Sequence, residues 1–272
     1  LTYSFVTWVG MLLFGGRSWL THGEIFTVTF GLLARFAPTI GGKGSWNIRL
    51  PGAGLVNKHS LDLSLTFFIL LLLATVTFDG ILETPLWSKT LEAISQSQSL
   101  RAILIMLQNA GLNLIQLIKL IFLLILPCIF FIIFLAFCHA IAMFGGGGKI
   151  PTRDISGYFI LSLIPIAIAY HFAHYLSYLL IAGQHIVPLV SDPFGAGWDL
   201  FNTKSYKIDI GIINAKFIWY FSITVIVIGH AMAVYVAHLT AVHIFVDREL
   251  ALRSQLPMLA LMIVYTMTSL WI

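Results

Sequence analysis

Long apolar runs separated by short polar stretches set the pattern of this chain. Leu63 to Phe78 carries no charge, and Leu120 to Cys138 is nineteen uncharged residues that continue apolar to Phe144. Ile155 to Ala182 is a further run, expected to bend near Pro165 because proline removes a helical N–H. Phe217 to Phe245 is the next, and another starts at Leu256. Leu1 to Gly15, with Trp8, has about the length of a span whose first residues are absent. A bilayer is crossed by about 20 apolar residues of helix, and only helices or closed barrels satisfy their backbone in lipid. Barrel strands alternate, and these runs do not. The pattern predicts an all-α polytopic transmembrane helix bundle of about six spans, a single integral membrane domain over residues 1–272.

The polar stretches fill in the connections. Arg17 to Pro38 mixes charge with apolar residues and reads as an interfacial helix. Gly41 to Ser60 reads as a loop and Thr77 to Gly80 as a turn closing the second span. Ile81 to Gln116 reads as a polar linker with a short surface helix. Gly145 to Gly148 lacks the Gly-Lys-Ser/Thr ending and preceding strand of a phosphate loop, so it is a flexible exit. Gln184 to Lys216 is a polar connection and Asp247 to Gln255 a charged turn. The chain opens at Leu1 inside one apolar segment and stops at Ile272 inside another, which is expected of a fragment of a longer protein. No internal repeat and no soluble domain is visible.

Composition agrees. Charged residues are 10% and apolar residues 59% of the chain, whereas soluble domains carry about 25% charge. The net charge of +4 therefore speaks to loop sidedness and not to nucleic acid. Loops one, three and five hold Arg17, Arg35, Lys43, Arg49, Lys58, Lys149, Arg153, Arg248 and Arg253. The other two hold Lys89, Arg101, Lys119, Lys204, Lys207 and Lys216, and nine against six favours the first set in the cytoplasm. Asp79, Asp192 and Asp199 then fall at the outer end. Cys128 and Cys138, ten apart on one helix, are too distant to bridge.

Candidate chemistry centres on His171 and His174, three positions apart on one helical face inside an apolar run. Ionisable groups at that depth mark functional sites. At 1.5 Å per residue, His171 lies roughly 16 Å below the outer helix end, His174 roughly 12 Å and His230 on the next span roughly 20 Å. The expectation is a metal centre, zinc first, held by His171, His174 and His230. Asp79 and Asp192 would serve as general base or as carboxylates orienting the set. An open ligand position would make bound water nucleophilic. Ring nitrogens would then lie within about 5 Å of one point. The alternatives are histidines hydrogen-bonded singly to neighbouring helices, haem binding with electron transfer, and a transporter with a histidine proton relay. His139 and His238 share the inner half and are candidates to pair. Tyr170, Tyr175, Tyr178 and Trp219 read as packing or interface belt. Ser191 to Phe201 (SDPFGAGWDLF) lacks the closing Glu of a calcium loop and reads as a structured outer loop. No Ser-His-Asp or Cys-His order suggests a covalent route.

Several segments together resemble the bacterial membrane proteins known as fenitrothion hydrolases, over the C-terminal part of that family. They are Gly15 to Pro38, Thr75 to Gly80 (TVTFDG), Pro85 to Trp87, Pro165 to Ser177 (PIAIAYHFAHYLS), Ser191 to Phe201, Ile218 to Tyr220, Gly229 to His238 and Arg253 to Leu259. The chain departs from the family's Arg-rich surface, with Lys, Ile and Phe instead. The resemblance implies a multi-pass protein of the bacterial inner membrane that hydrolyses phosphotriester-like compounds. Its partners would be the lipid bilayer and a small-molecule substrate, with a partner subunit or the missing N-terminal part as further candidates.

Overall fold

The computed structural model describes residues 1–272 other than 43, 57, 58 and 246, so Lys43 and Lys58 of the charge count lie outside the described residues. Helices α1 (Thr2–Phe14), α2 (Gly16–His22) and α3 (Ile25–Ala34) open the chain. A hairpin follows, β1 (Thr39–Gly42) antiparallel to β2 (Ser45–Ile48), with Thr39 opposite Ile48. Then come α4 (Leu63–Leu82), α5 (Pro85–Gln96), α6 (Gln98–Asn109) and α7 (Leu114–Phe144). The run α8 (Thr152–Phe159), α9 (Ile164–Ala182) and α10 (Ile186–Ser191) is joined by single 3-10 turns, and α11 (Ala215–Ile244) and α12 (Arg248–Trp271) close the chain.

This is the expected all-α bundle of a membrane protein. Five stretches are long and apolar enough to cross a bilayer: α4, α7, the α8–α10 run, α11 and α12. The expected first span is α1, only 13 residues, short of the about 20 that a crossing needs. The α8–α10 run is the most enclosed, with 78% of its most apolar stretch buried against 11% for α7. An apolar helix that exposed has lipid as its natural neighbour.

Several boundaries differ from expectation, each for a local reason. Thr77 to Gly80 is helix and not a turn: the Thr77 hydroxyl folds back onto the Leu73 carbonyl at 2.8 Å, as helical threonines do. A Cβ on Gly80 would stand 2.3 Å from Ile272 Cγ2, so the Ile272 side chain would have to shift to admit one. Asp247 to Gln255 is likewise no turn but the start of α12, where the Asp247 carboxylate accepts the Glu249 N–H at 2.8 Å. Arg17 to Pro38 breaks into α2 and α3 at Glu24, whose carboxylate caps α3 by accepting from the N–H groups of Phe26 and Thr27. Ile81 to Gln116 holds two amphipathic helices of 12 residues, α5 starting at Pro85 and α6 following the break at Ser97. The bend near Pro165 takes the form of the 3-10 turn Ile160–Leu163 just before it.

By contacts the chain falls into two compact units. One comprises Leu1–Ile69, Phe134–Pro165 and Met232–Ala260, and the other Leu70–Ile133, Ile166–Ala231 and Leu261–Ile272. In the first, Ile155, Phe159 and Leu163 are fully buried, and Gly157 meets the Leu61 backbone. Arg49 also ties the end of α3 by donating to the carbonyls of Ala34, Arg35 and Ala37. In the second, Leu70, Leu73 and Ile166 are fully buried, and Trp87 packs edge-on to both Phe78 and Phe122. All the expected site residues belong to this second unit.

Candidate functional site

Helix α9 carries Tyr170, His171, His174 and Tyr175 within two turns, and Val76 of α4 and Ile226 of α11 pack against Tyr170 and Ala173. Tyr175 donates its hydroxyl to the Asp79 carboxylate near the end of α4, a short contact between side chains 96 positions apart. The His174 ring lies 4.8 Å from that of Tyr175 and 6.4 Å from that of Tyr170, while His171 lies 6.0 Å from Tyr175. His174 interacts electrostatically with Asp79, His171 and Glu83. Asp79 is therefore brought to the histidine pair, through a tyrosine that the sequence assigned to packing.

The third expected ligand does not join them. His230 is 7% exposed, and its Nδ1–H donates to the Ile226 carbonyl of its own helix at 2.8 Å. His171 does the same to Ala167 at 2.7 Å. A carbonyl only accepts, so both rings carry Nδ1–H, and in the neutral imidazole the lone pair is then on Nε2. Each histidine alone resembles a ligand held ready. Yet no group of three or more His, Cys, Asp or Glu among the described residues is placed to hold a metal ion. The set His171, His174, His230 and Asp79 does not fit zinc here. Depth along two helices left open how each is rotated about its axis; own-helix carbonyls take up Nδ1 of two of the rings, while the buried Nε2 of His230 has no partner among the described residues.

A cavity of about 270 Å³ opens beside His174, lined among others by Tyr170, Trp219, Ser222, Ile226 and Ser269. Ser222 bridges α11 to α9 by donating to the Ala173 carbonyl at 3.2 Å. Most of this wall is apolar, with polar atoms at a few fixed points, the usual make-up of a small-molecule site.

Asp192 is occupied elsewhere. Its carboxylate accepts the N–H groups of Ala196 at 2.8 Å and Gly197 at 2.7 Å, closing its own loop, where Gly195 and Gly197 take positive φ. Nothing among the described residues ties it to the histidines, so its expected place as base or orienting carboxylate is not what the structure gives it. Asp199 accepts from Ser191 Oγ at 3.0 Å and from the N–H groups of Thr203 and Lys204. Burial alone would raise the Asp199 carboxyl, but the Lys204 N–H, the Ser191 hydroxyl and the Thr203 N–H outweigh it and hold it below the usual range. Gln184 anchors the far end of the loop, bonding both the N–H and the carbonyl of Asp209 as well as the Tyr206 hydroxyl. A second cavity of about 550 Å³ lies here, edged by His185, Asp192, Trp198 and Lys204. In the first unit, His139 meets Thr152 Oγ1 at 3.2 Å and His238 meets Gln255 Oε1 at 2.8 Å, so the two candidates for pairing each have another partner.

The structure thus adds Tyr175 and Tyr170 to the candidate residues. Their spacing from His171 and His174 on one helix was a usable signal, since four residues place Tyr170 and His174, and likewise His171 and Tyr175, on neighbouring positions of a face. No protein-family model, curated protein sequence or solved structure matches the chain.

Proposed function

We propose that the chain is an integral protein of the bacterial cytoplasmic membrane and a hydrolase of small lipophilic phosphotriester-like esters, as its resemblance to the fenitrothion hydrolases implies. The observation that carries the reading is the Asp79–Tyr175 hydrogen bond next to His174, at the wall of a small cavity in the second unit. His174 serves as general base and takes a proton from water. The water oxygen attacks phosphorus, the aryloxide departs, and the proton leaves the imidazole with the products. Asp79 balances the imidazolium and Tyr175 holds Asp79 in place. No step is assigned to zinc, because the donor set does not fit it.

The test is nitrophenolate release from diethyl 4-nitrophenyl phosphate by the protein reconstituted in lipid vesicles. We expect His174→Gln and Asp79→Asn to lower the rate by about 10²-fold or more, and a chelator to leave it unchanged. Hydrolysis at the uncatalysed rate by the folded protein overturns the reading.

A proton-relay transporter is the second reading, favoured by the same carboxylate, phenol and imidazole on two candidate spans, α4 and α9. It expects uptake driven by an imposed pH gradient and no ester cleavage. A Soret band in the purified protein would instead support the haem alternative.

A further inference from the structure

Tyr170 stands out among the cavity-lining residues. It is 5% exposed, and its hydroxyl is buried with no hydrogen-bond partner among the described residues. A buried phenol without a partner forgoes a hydrogen bond that nearly all buried polar groups make. This hydroxyl stands close to Gly80. It lies 3.1 Å from where a Cβ on Gly80 would stand, and Ile272 Cγ2 lies 2.3 Å from the same point. Ile272, like Tyr170, lines the 270 Å³ cavity. Glycine at position 80 keeps this corner open. Around it the wall is aromatic and aliphatic, through Trp219, Ile223 and Ile226, with His174 one helical turn from Tyr170.

We propose that the cavity binds a small neutral, largely apolar molecule by one strong acceptor oxygen, phosphoryl or carbonyl, which receives the hydrogen bond of the Tyr170 hydroxyl. Charge in the ligand is disfavoured, because no Lys, Arg, Asp or Glu among the described residues lines the cavity. A molecule with no acceptor would leave the phenol as it is. An acceptor oxygen gives it a partner at a buried position, where hydrogen bonds are strong. For a phosphoryl ligand the proposal deepens the hydrolase reading and rests on it. As a binding site it stands without any hydrolysis.

The experiment measures binding by quenching of tryptophan fluorescence in the full chain in vesicles. Three probes share a nitrophenyl group: diethyl 4-nitrophenyl phosphate, 4-nitropropiophenone and 4-propylnitrobenzene, the last without a phosphoryl or carbonyl oxygen. Tyr170→Phe should weaken the phosphate or the ketone about tenfold and leave 4-propylnitrobenzene unchanged, and whichever of the two is weakened names the source of the oxygen. Tyr178→Phe is the control, since that phenol is on the same helix, is exposed and is not among the residues that line the cavity. Its binding should equal that of the unaltered chain. Equal binding of all three probes to Tyr170→Phe and the unaltered chain, or an equal loss in Tyr178→Phe, overturns the proposal. Tyr170-dependent binding without ester cleavage keeps it and removes the hydrolase. Cleavage indifferent to Tyr170 does the reverse.

Discussion

Tyr175 of α9 donates its hydroxyl to the carboxylate of Asp79 on α4, and this one bond brings a carboxylate to the histidine pair. Removing the phenol oxygen leaves the partly buried carboxylate without that donor. Tyr175→Phe should therefore lower unfolding stability by about 1–3 kcal/mol, read as a shift in the midpoint of a detergent-denaturation curve. Tyr178→Phe, at a side chain 68% exposed, should change it by less than about 0.5 kcal/mol. Additive losses in Tyr175→Phe and Asp79→Ala would mean the two groups do not interact.

Gln184 is 7% exposed and holds Asp209 by both backbone groups, at 2.9 Å and 2.8 Å, with the Tyr206 hydroxyl at 3.0 Å. Gln184→Leu keeps the volume and deserts all three partners. The segment between α10 and α11 should then open more often, and trypsin should cut at Lys204 and Lys207 about tenfold faster or more. An unchanged cutting rate would show that the loop is held by something else.

Glu24 supplies a pH test outside the candidate spans. The Thr27 hydroxyl, the Tyr3 hydroxyl and the Phe26 N–H all donate to its carboxylate, which holds its pKa down to about 2. A depressed carboxyl stabilises the fold above its unfolded value of about 4.3. That contribution is lost as pH falls from there through about 2. The α2–α3 corner should loosen over this window, visible in the fluorescence of Trp19. This ring packs so close to Gly10 and Gly23 that a Cβ on either would lie 2.3 Å and 2.7 Å from it. Glu24→Gln should flatten the acid transition. A transition of the same size in that variant would assign it to other carboxyls.

How much of this was legible in the sequence follows from what each signal fixes. Uninterrupted apolar length fixes crossing helices, so α4, α7, α9 and α11 stood out in the chain itself. Charged residues at a helix start look like a turn, and α12 was trimmed to Leu256 because Asp247 caps it and Arg248, Glu249 and Arg253 occupy its first turns. Spacing fixes relations within one helix, which is why His171 with His174 was visible. Relations between helices need their rotation about the axis, which depth does not give. Hence His230 was matched to a cluster it does not join, while Tyr175, read as packing, proved to be the link to Asp79. The Asp192 loop shows the same limit: in a turn shaped by glycines the carboxylate accepts the nearby N–H groups of Ala196 and Gly197 before it can serve a site elsewhere.

Gly157 gives the sharpest test of the first unit. A Cβ there would stand 2.2 Å from the Leu61 carbonyl oxygen and 2.6 Å from its nitrogen. The same Leu61 N–H donates to the Gly157 carbonyl at 3.1 Å, so the approach is between two backbones and is closed by a hydrogen bond. A side chain can swing away from a new methyl group, but these atoms cannot move without shifting α8, whose Ile155, Ser156 and Phe159 are fully buried. Gly157→Ala should cost roughly 2–4 kcal/mol, seen as a lower denaturation midpoint and reduced yield of folded protein. Gly31→Ala is the matched control: it lies within α3, and nothing stands within 4 Å of its added Cβ. There the higher helix propensity of alanine should raise stability by up to about 1 kcal/mol. If both substitutions move the midpoint the same way, close backbone approach at Gly157 is not what holds α8 in place.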